Sequence, residues 1–288
     1  MMQPTRSWIF TANCPSKLGT VDVVTRFMAE SGLYVNEIHS FDDRVQRQFF
    51  IRIEFTPEAA DFSASQFNDE FGGRATPFDM NWELTPSDKK ERVAILVSKF
   101  DHCLNDLLFR YRTGQLKIEI PVIISNHPDL KHLAELHNIP YFHLPITAET
   151  KDKQESQILT LLKQYDIDLV VLARYMQVLT PEMCSRLDGK AINIHHSLLP
   201  GFKGARPYHQ AWEKGVKMVG ATAHYVNNDL DEGPIITQGI QSVDHAYYPE
   251  DLIQKGQDIE RITLFNAVRY HVEKRVFLSG KRTVVFSH

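Results

Sequence analysis

The chain has 288 residues, 43% of them apolar and 24% charged, with a formal net charge of −4 at pH 7. That is enough chain for one large or two smaller cores, and its scattered basic residues exclude the electrostatic footprint of a nucleic-acid binder. Three distant cysteines (Cys14, Cys103, Cys184), no apolar run near the roughly 18 residues of a membrane span and no signal-like start together predict a reduced, cytoplasmic protein without disulfides or thiolate zinc.

In chain order, residues 7 to 84 alternate strand-like and helix-like patterns: SWIFTANC, GTVDVVTRFMAESG, LYVNEIHSF, QFFIRIEF, ASQFNDEFGG and FDMNWEL. The succession is βαββαβ, predicting a ferredoxin-like α+β domain over 1–84. In QRQFFIRIEF, Phe49, Ile51, Ile53 and Phe55 fall on one face at period two, which predicts a core face, with Phe50, Arg52 and Glu54 on a mostly wet one. TPSDKKER then reads as a polar linker over 85–91.

Beyond it the texture changes to near-continuous apolar runs between helical ones: RVAILVS, HCLNDLLFRYRTG, IEIPVIIS, DLKHLAELHN, YFHL, QESQILTLLKQY, DIDLVVLA and KAINIHH. Such strands are buried on both faces, so a doubly wound, mostly parallel α/β domain is predicted over 92–288. Two further strands, VGATAHYV and GPIITQGI, flank the turn NNDLDE; a helix near 249–278 and a final strand TVVF complete the chain.

If AINIH is a strand, Asn193 and His195 share a side, Ile192 and Ile194 take the other, and His196 is left facing away. The run ends in a loop forced by prolines and glycines, placing the Asn–His pair at a strand's carboxyl end, where open α/β sheets bind ligands. His224 lies on a later strand, and Asp231 in a turn closed by Gly233 and Pro234. An amide donor, an imidazole and a carboxylate suffice for acyl hydrolysis or transfer without metal. The spacings of His195, His209 and His224 match no closed metal pattern. GFKG, at 201–204, is a glycine-bearing loop and not a dinucleotide fingerprint.

The stretch INIHHSLLPGFKGARPYHQAWEKGVKMVGATAHYVNNDLDEGPIITQ, with VSKFDHCLNDLLFRYRTGQLKIEIPVIISNHPDL and DLVVLARYMQVL, resembles the folate-dependent formyltransferase superfamily, and most closely its water-using deformylase branch. The resemblance implies a catalytic trio of Asn193, His195 and Asp231. It implies hydrolysis of 10-formyltetrahydrofolate to tetrahydrofolate and formate, with no metal or other cofactor. Arg174, Tyr175, Met176, Gln177, Val178 and Leu179 correspond to the loop that holds the pterin, with His224 beside it. Glycinamide-ribonucleotide-using members carry a Gly-Ser-Asn phosphate cradle where this chain has VSKFDHCLN; bulky Lys99 and Phe100 disfavour wrapping a phosphate there, leaving water as the acceptor. The N-terminal half resembles an ACT domain. That implies a homo-oligomer and an amino-acid effector, glycine or methionine, near Ser16, Leu18 and Gly19, although Ser16 stands where the family commonly has aspartate.

Overall fold

A computed structural model of the chain describes residues 6–201 and 207–288. They divide into two compact units.

The first unit comprises the residues up to Lys89 together with Glu273–Phe277 and Phe286–His288. Its elements are β1 (Trp8–Pro15), α1 (Thr20–Glu30), β2 (Leu33–Asp43), β3 (Gln48–Pro57), α2 (Ala64–Ala75) and β4 (Asn81–Pro86). The strands form a four-stranded antiparallel sheet in the order β2-β3-β1-β4. Its core is aromatic: Phe10, Phe27, Phe55, Phe67 and Phe71 are buried together, with tilted and edge-on rings such as Phe10–Phe71 at 5.0 Å, geometries that suit the ring quadrupole.

The face of β3 expected to be wet is buried. Phe50 is 2% and Arg52 1% exposed, because the late segments cover them: Phe277 packs 5.6 Å from Phe50 and Arg52 Nε donates to the Glu273 carbonyl at 3.0 Å. Arg52 is paired with Glu37 at 2.5 Å, and Arg275 reaches the same carboxylate at 3.2 Å. Burial and the neighbouring Arg275 lower the Arg52 pKa; the Glu37 partner makes burying that cation tolerable.

The predicted boundaries also shift. Residues 85 and 86 finish β4 and Glu91 begins the next strand, so the connection is shorter than 85–91. The second unit is not everything after residue 92, since 273–277 and 286–288 fold with the first.

The second unit contains β5 (Glu91–Val97), α3 (His102–Arg112), β6 (Ile118–Ser125), α4 (Lys131–Leu136), β7 (Tyr141–His143), α5 (Lys151–Gln164), β8 (Leu169–Leu172), α6 (Pro181–Arg186), β9 (Ala191–His195), α7 (Pro207–Glu213), β10 (Met218–Tyr225), β11 (Ile235–Ser242) and α8 (Pro249–Val272). A hairpin of β12 (Val276–Ser279) and β13 (Arg282–Val285) follows. The helix predicted to run to 278 stops at Val272: Lys274 adopts φ 56°, which ends the helix, and the β-rich residues after it make the hairpin instead.

The seven-stranded sheet has the order β11-β10-β9-β8-β5-β6-β7. β7, β6, β5, β8 and β9 are parallel, and β10 and β11 antiparallel. This is the mostly parallel sheet that the two-sided apolar strands predict. The direction in which successive strands are added reverses between β5 and β8, which run parallel, a topological switch point that opens a crevice at the carboxyl ends of β5, β8 and β9.

Candidate active site

The crevice holds a cavity of about 290 Å³ lined by the loop after β8, the end of β9 and the turn after β10. On β9, Asn193 and His195 line the cavity as alternation predicts, but Ile194 lines it too. Ile192 and Ile194 are buried, Asn193 is half-buried at the cavity, and His195 is 5% exposed.

Asp231 reaches His195: its Oδ2 lies 3.2 Å from Nδ1. Two local features carry it there. Asp231 adopts φ 58°, and Gly233 packs so tightly on β10 that a Cβ would lie 1.7 Å from the Tyr225 carbonyl oxygen. Only glycine lets this turn close against the strand, and the Tyr225 N–H donates to the Pro234 carbonyl at 2.9 Å to seal it. Burial pushes the Asp231 carboxyl up, but the His195 hydrogen bond and the neighbouring imidazoles outweigh that, and its pKa falls below the ordinary value. Asp231 is therefore a carboxylate at neutral pH.

His224, expected beside the substrate, has both nitrogens committed. Nδ1 must donate to the Tyr225 carbonyl, 2.8 Å away, because a carbonyl only accepts. Nε2 then accepts from the Asn193 amide nitrogen at 3.2 Å. Burial lowers the pKa of His224 and keeps it neutral. The ring thus takes one of the two N–H donors of the Asn193 amide and orients that side chain at the cavity, leaving its second N–H for another acceptor. His195 Nε2, in contrast, is buried without a hydrogen-bond partner.

His196 does not face away. β9 ends at His195, and the next ring lies 5.2 Å from that of His195 and lines the same cavity. Burial, and then the charge of Arg174, push its pKa down to about 4, so it is a neutral wall. The loop carrying it is pinned by fully buried Thr222, whose hydroxyl donates to the Ser197 carbonyl at 2.9 Å and accepts from the Leu199 N–H at 3.0 Å.

The loop 174–179 lines the cavity throughout. Met176 and Val178 are 48% and 53% exposed and form its rim. Tyr175 belongs to the core as well, buried with its hydroxyl on Gln154 at 2.9 Å. The Arg174 guanidinium turns inward to Glu260, 3.4 Å away, rather than out to a ligand. Buried polar groups hold this loop rigid: Ser98 Oγ accepts from the Met176 N–H at 3.0 Å, and Glu155 accepts from the Thr180 N–H at 3.0 Å. Gln154, Glu155, Ser98 and Thr222 carry no local signal of this role in the sequence, being single polar residues in apolar surroundings. Asn227, Asn228, Asp229 and Leu230 also line the cavity; their place in the NNDLDE turn was the available clue.

In the first unit, Ser16 Oγ donates to Asp42 at 2.5 Å, Leu18 is fully exposed, and Gly19 sits at φ 89° as the N-cap of α1. Of the GFKG loop, residues 202–204 lie outside the described residues. His209 lies on α7 and does not line the cavity.

A group with metal-like spacing is formed by His102, Cys103 and Glu260. It suits a metal poorly, because His102 Nε2 already bonds Glu260 directly at 2.8 Å and the Arg174 cation lies against the same carboxylate. Among the described residues, no helix is long and apolar enough to cross a membrane.

Comparison with known proteins gives a consistent picture. Residues 91–268 match the family model described as formyl transferase. The formyltetrahydrofolate deformylase of Corynebacterium sp. (strain P-1) is 50% identical over 96% of this chain and 97% of its own length. The crystal structure of a formyltetrahydrofolate deformylase from Pseudomonas putida KT2440 superposes with a TM-score of 0.91 at 58% identity, covering 97% of this chain and all of that one. Glycinamide ribonucleotide transformylase 1 from Symbiobacterium toebii aligns with 68% of this chain and 94% of its own, at 30% identity and a TM-score of 0.65.

Proposed function

The chain belongs to the formyl transferase family and, within it, to the formyltetrahydrofolate deformylases, and from that premise we propose how its residues divide the work. The chain hydrolyses 10-formyltetrahydrofolate to tetrahydrofolate and formate. Attack of water on the formyl carbon places negative charge on the formyl oxygen. Asn193, aimed by His224, donates to that oxygen, and His195 presents its unpartnered Nε2 to the same centre. Asp231 uses Oδ2 to hold His195 while Oδ1, 3.8 Å from His224, is left to orient a water and take its proton. The proton that N10 needs before it leaves is relayed through His195. No step requires a metal or other cofactor.

The pterin lies along the loop 174–179, with Met176, Gln177, Val178 and Leu179 at its edge and faces and the 226–230 turn opposite. A mainly apolar crevice with a few convergent polar groups suits a flat heteroaromatic ring. The observation that carries this reading is the 3.2 Å contact between Asp231 and His195 at the cavity rim. Its test is formate release by the pure protein from 10-formyltetrahydrofolate with no amine present; release is expected, and its absence at saturating substrate counts against the reading.

The first unit we assign to an ACT-like, ferredoxin-like domain that joins subunits in a cytoplasmic homo-oligomer. Supporting this, edge strand β2 exposes Tyr34, Ile38 and Phe41, and Leu18 and Val21 are exposed at α1. Glycine or methionine is the effector proposed at the β1–α1 turn around Ser16, Leu18 and Gly19. Calorimetry of the intact chain should detect heat with one of them; no heat removes the effector and leaves the scaffold.

A further inference from the structure

The cavity beside Asn193, His195 and Asp231 accounts for one side of the crevice. The other side, towards the end of β5 and the start of α3, is occupied among the described residues by a cluster of buried polar side chains. Glu260, on α8 and 1% exposed, stands at its centre. It accepts from Tyr208 Oη at 2.8 Å, bonds His102 Nε2 at 2.8 Å and pairs with Arg174 at 3.4 Å. Burial raises the Glu260 carboxyl but His102 and Arg174 outweigh it, so it stays ionised.

Two features show that this filling is built in. Arg174 is 8% exposed and adopts φ 64°, a left-handed backbone that glycine takes without strain and arginine does not. Its guanidinium lies over the Phe100 ring, 5.0 Å from the centroid, and Nη1 has no hydrogen-bond partner. Gly256, one turn before Glu260 on α8, has no room for a side chain: a Cβ would meet the Tyr208 hydroxyl oxygen at 2.0 Å. Its bareness lets Tyr208 reach Glu260. The wall is continuous with the reaction centre, since the neutral His196 ring lies between those of His195, at 5.2 Å, and Tyr208, at 6.3 Å.

The start of a helix at a topological switch point is a natural seat for an anionic ligand. Here the protein's own carboxylate and guanidinium stand beside it. We propose that the buried Arg174–Glu260 pair, closed by Phe100, His102 and Tyr208, is an internal plug that occupies the place of a second substrate and so restricts the formyl acceptor to water. Arg174 and Glu260 are thereby specificity-determining residues, acting by exclusion and touching neither the formyl group nor the water. The inference rests on the hydrolytic reading of the Asn193, His195 and Asp231 site.

With the plug removed, an amine R–NH₂ attacks the formyl carbon in place of water. The new C–N bond forms as the N10–C bond breaks, N10 takes one proton and the amine loses one, giving R–NH–CHO and tetrahydrofolate. No further reactant is needed.

The test uses the full chain, 10-formyltetrahydrofolate labelled in the formyl carbon, and glycinamide as acceptor, with labelled formate and N-formylglycinamide separated by mass spectrometry. The wild type should give formate alone. The variant Arg174→Gly/Glu260→Gln relaxes the backbone and leaves no lone buried charge; its ratio of transfer to hydrolysis should exceed the wild-type ratio by about tenfold or more. A variant that melts cooperatively and binds folate, yet keeps the wild-type ratio, overturns the proposal. If that variant does not fold, the same ratio read in Arg174→Asn/Glu260→Gln, whose short asparagine tolerates the left-handed backbone and which also leaves no lone buried charge, decides in the same way. A wild type that makes no formate sinks the hydrolytic reading itself, whereas normal wild-type hydrolysis with unchanged variant ratios sinks only the plug.

Discussion

Asp231 is brought to the histidine by backbone geometry more than by its own side chain. Replacing Gly233 by alanine puts a carbon 1.7 Å from the Tyr225 carbonyl oxygen, so the turn must move, and a displacement near 1 Å costs about 10²-fold in rate. Gly233→Ala should lower kcat by that order with the melting curve little changed in shape. Asp231→Asn keeps the shape and removes the base, and kcat should fall by about 10²–10⁴. Asn193→Ala removes one oxyanion donor, for about 10²–10³; steady-state rates of the single and double variants check both, and the double loss should be smaller than the product. His196 gives a separate signature. Its ordinary value of 6.5 drops to about 4 in the folded protein, so between those values the unfolded chain holds a proton that the folded chain refuses. Stability therefore falls with falling pH across that window, by about 3 kcal/mol for this group, and His196→Asn should flatten that part of the denaturation-versus-pH curve. The pairing of Asn193 with His195 is legible in the sequence because alternation along a strand is a local property. The contact with Asp231 is not, since it depends on β10 lying beside β9, and the roles of His224, Thr222 and Glu260 depend on which neighbours bury them.

At the scale of elements, β3 shows why alternation misleads. Phe50, Arg52 and Glu54 share a face that looks half polar, but its cover comes from residues 273–277 and 286–288, more than two hundred positions later. The arginine is there as the partner of Glu37, with Arg275 on the same carboxylate. Arg52→Ala removes one partner of Glu37, which keeps Arg275, and frees the buried Glu273 carbonyl; it should destabilise the first unit by about 1–3 kcal/mol, read by chemical denaturation. The β8–α6 loop is the complementary case. Its apolar letters are visible in LARYMQVL, but its rigidity comes from Gln154 and Glu155 on α5, 2% and 5% exposed. Glu155→Ala frees the Thr180 N–H and hydroxyl and should raise KM for the folate more than it lowers kcat.

For the whole molecule, two-sided apolar strands between helices suffice to foretell a parallel sheet, and the antiparallel pair β10–β11 follows from the short turn between them. Strand order is less accessible: that β5 sits between β8 and β6 is a matter of which crossover goes which way. That order makes the crevice, and with it the meeting of β8, β9 and β10 residues from three separate stretches of chain. The central claim is that these residues form one hydrolytic centre whose acceptor is water. It is tested most directly by incubating the purified protein with 10-formyltetrahydrofolate in buffer without any amine, alongside Asp231→Asn. The account predicts formate and tetrahydrofolate in equal amounts from the wild type and at least a hundredfold less from a folded Asp231→Asn that still binds folate. Turnover that appears only when an amine is added, or an Asp231→Asn variant as fast as the wild type, would contradict it.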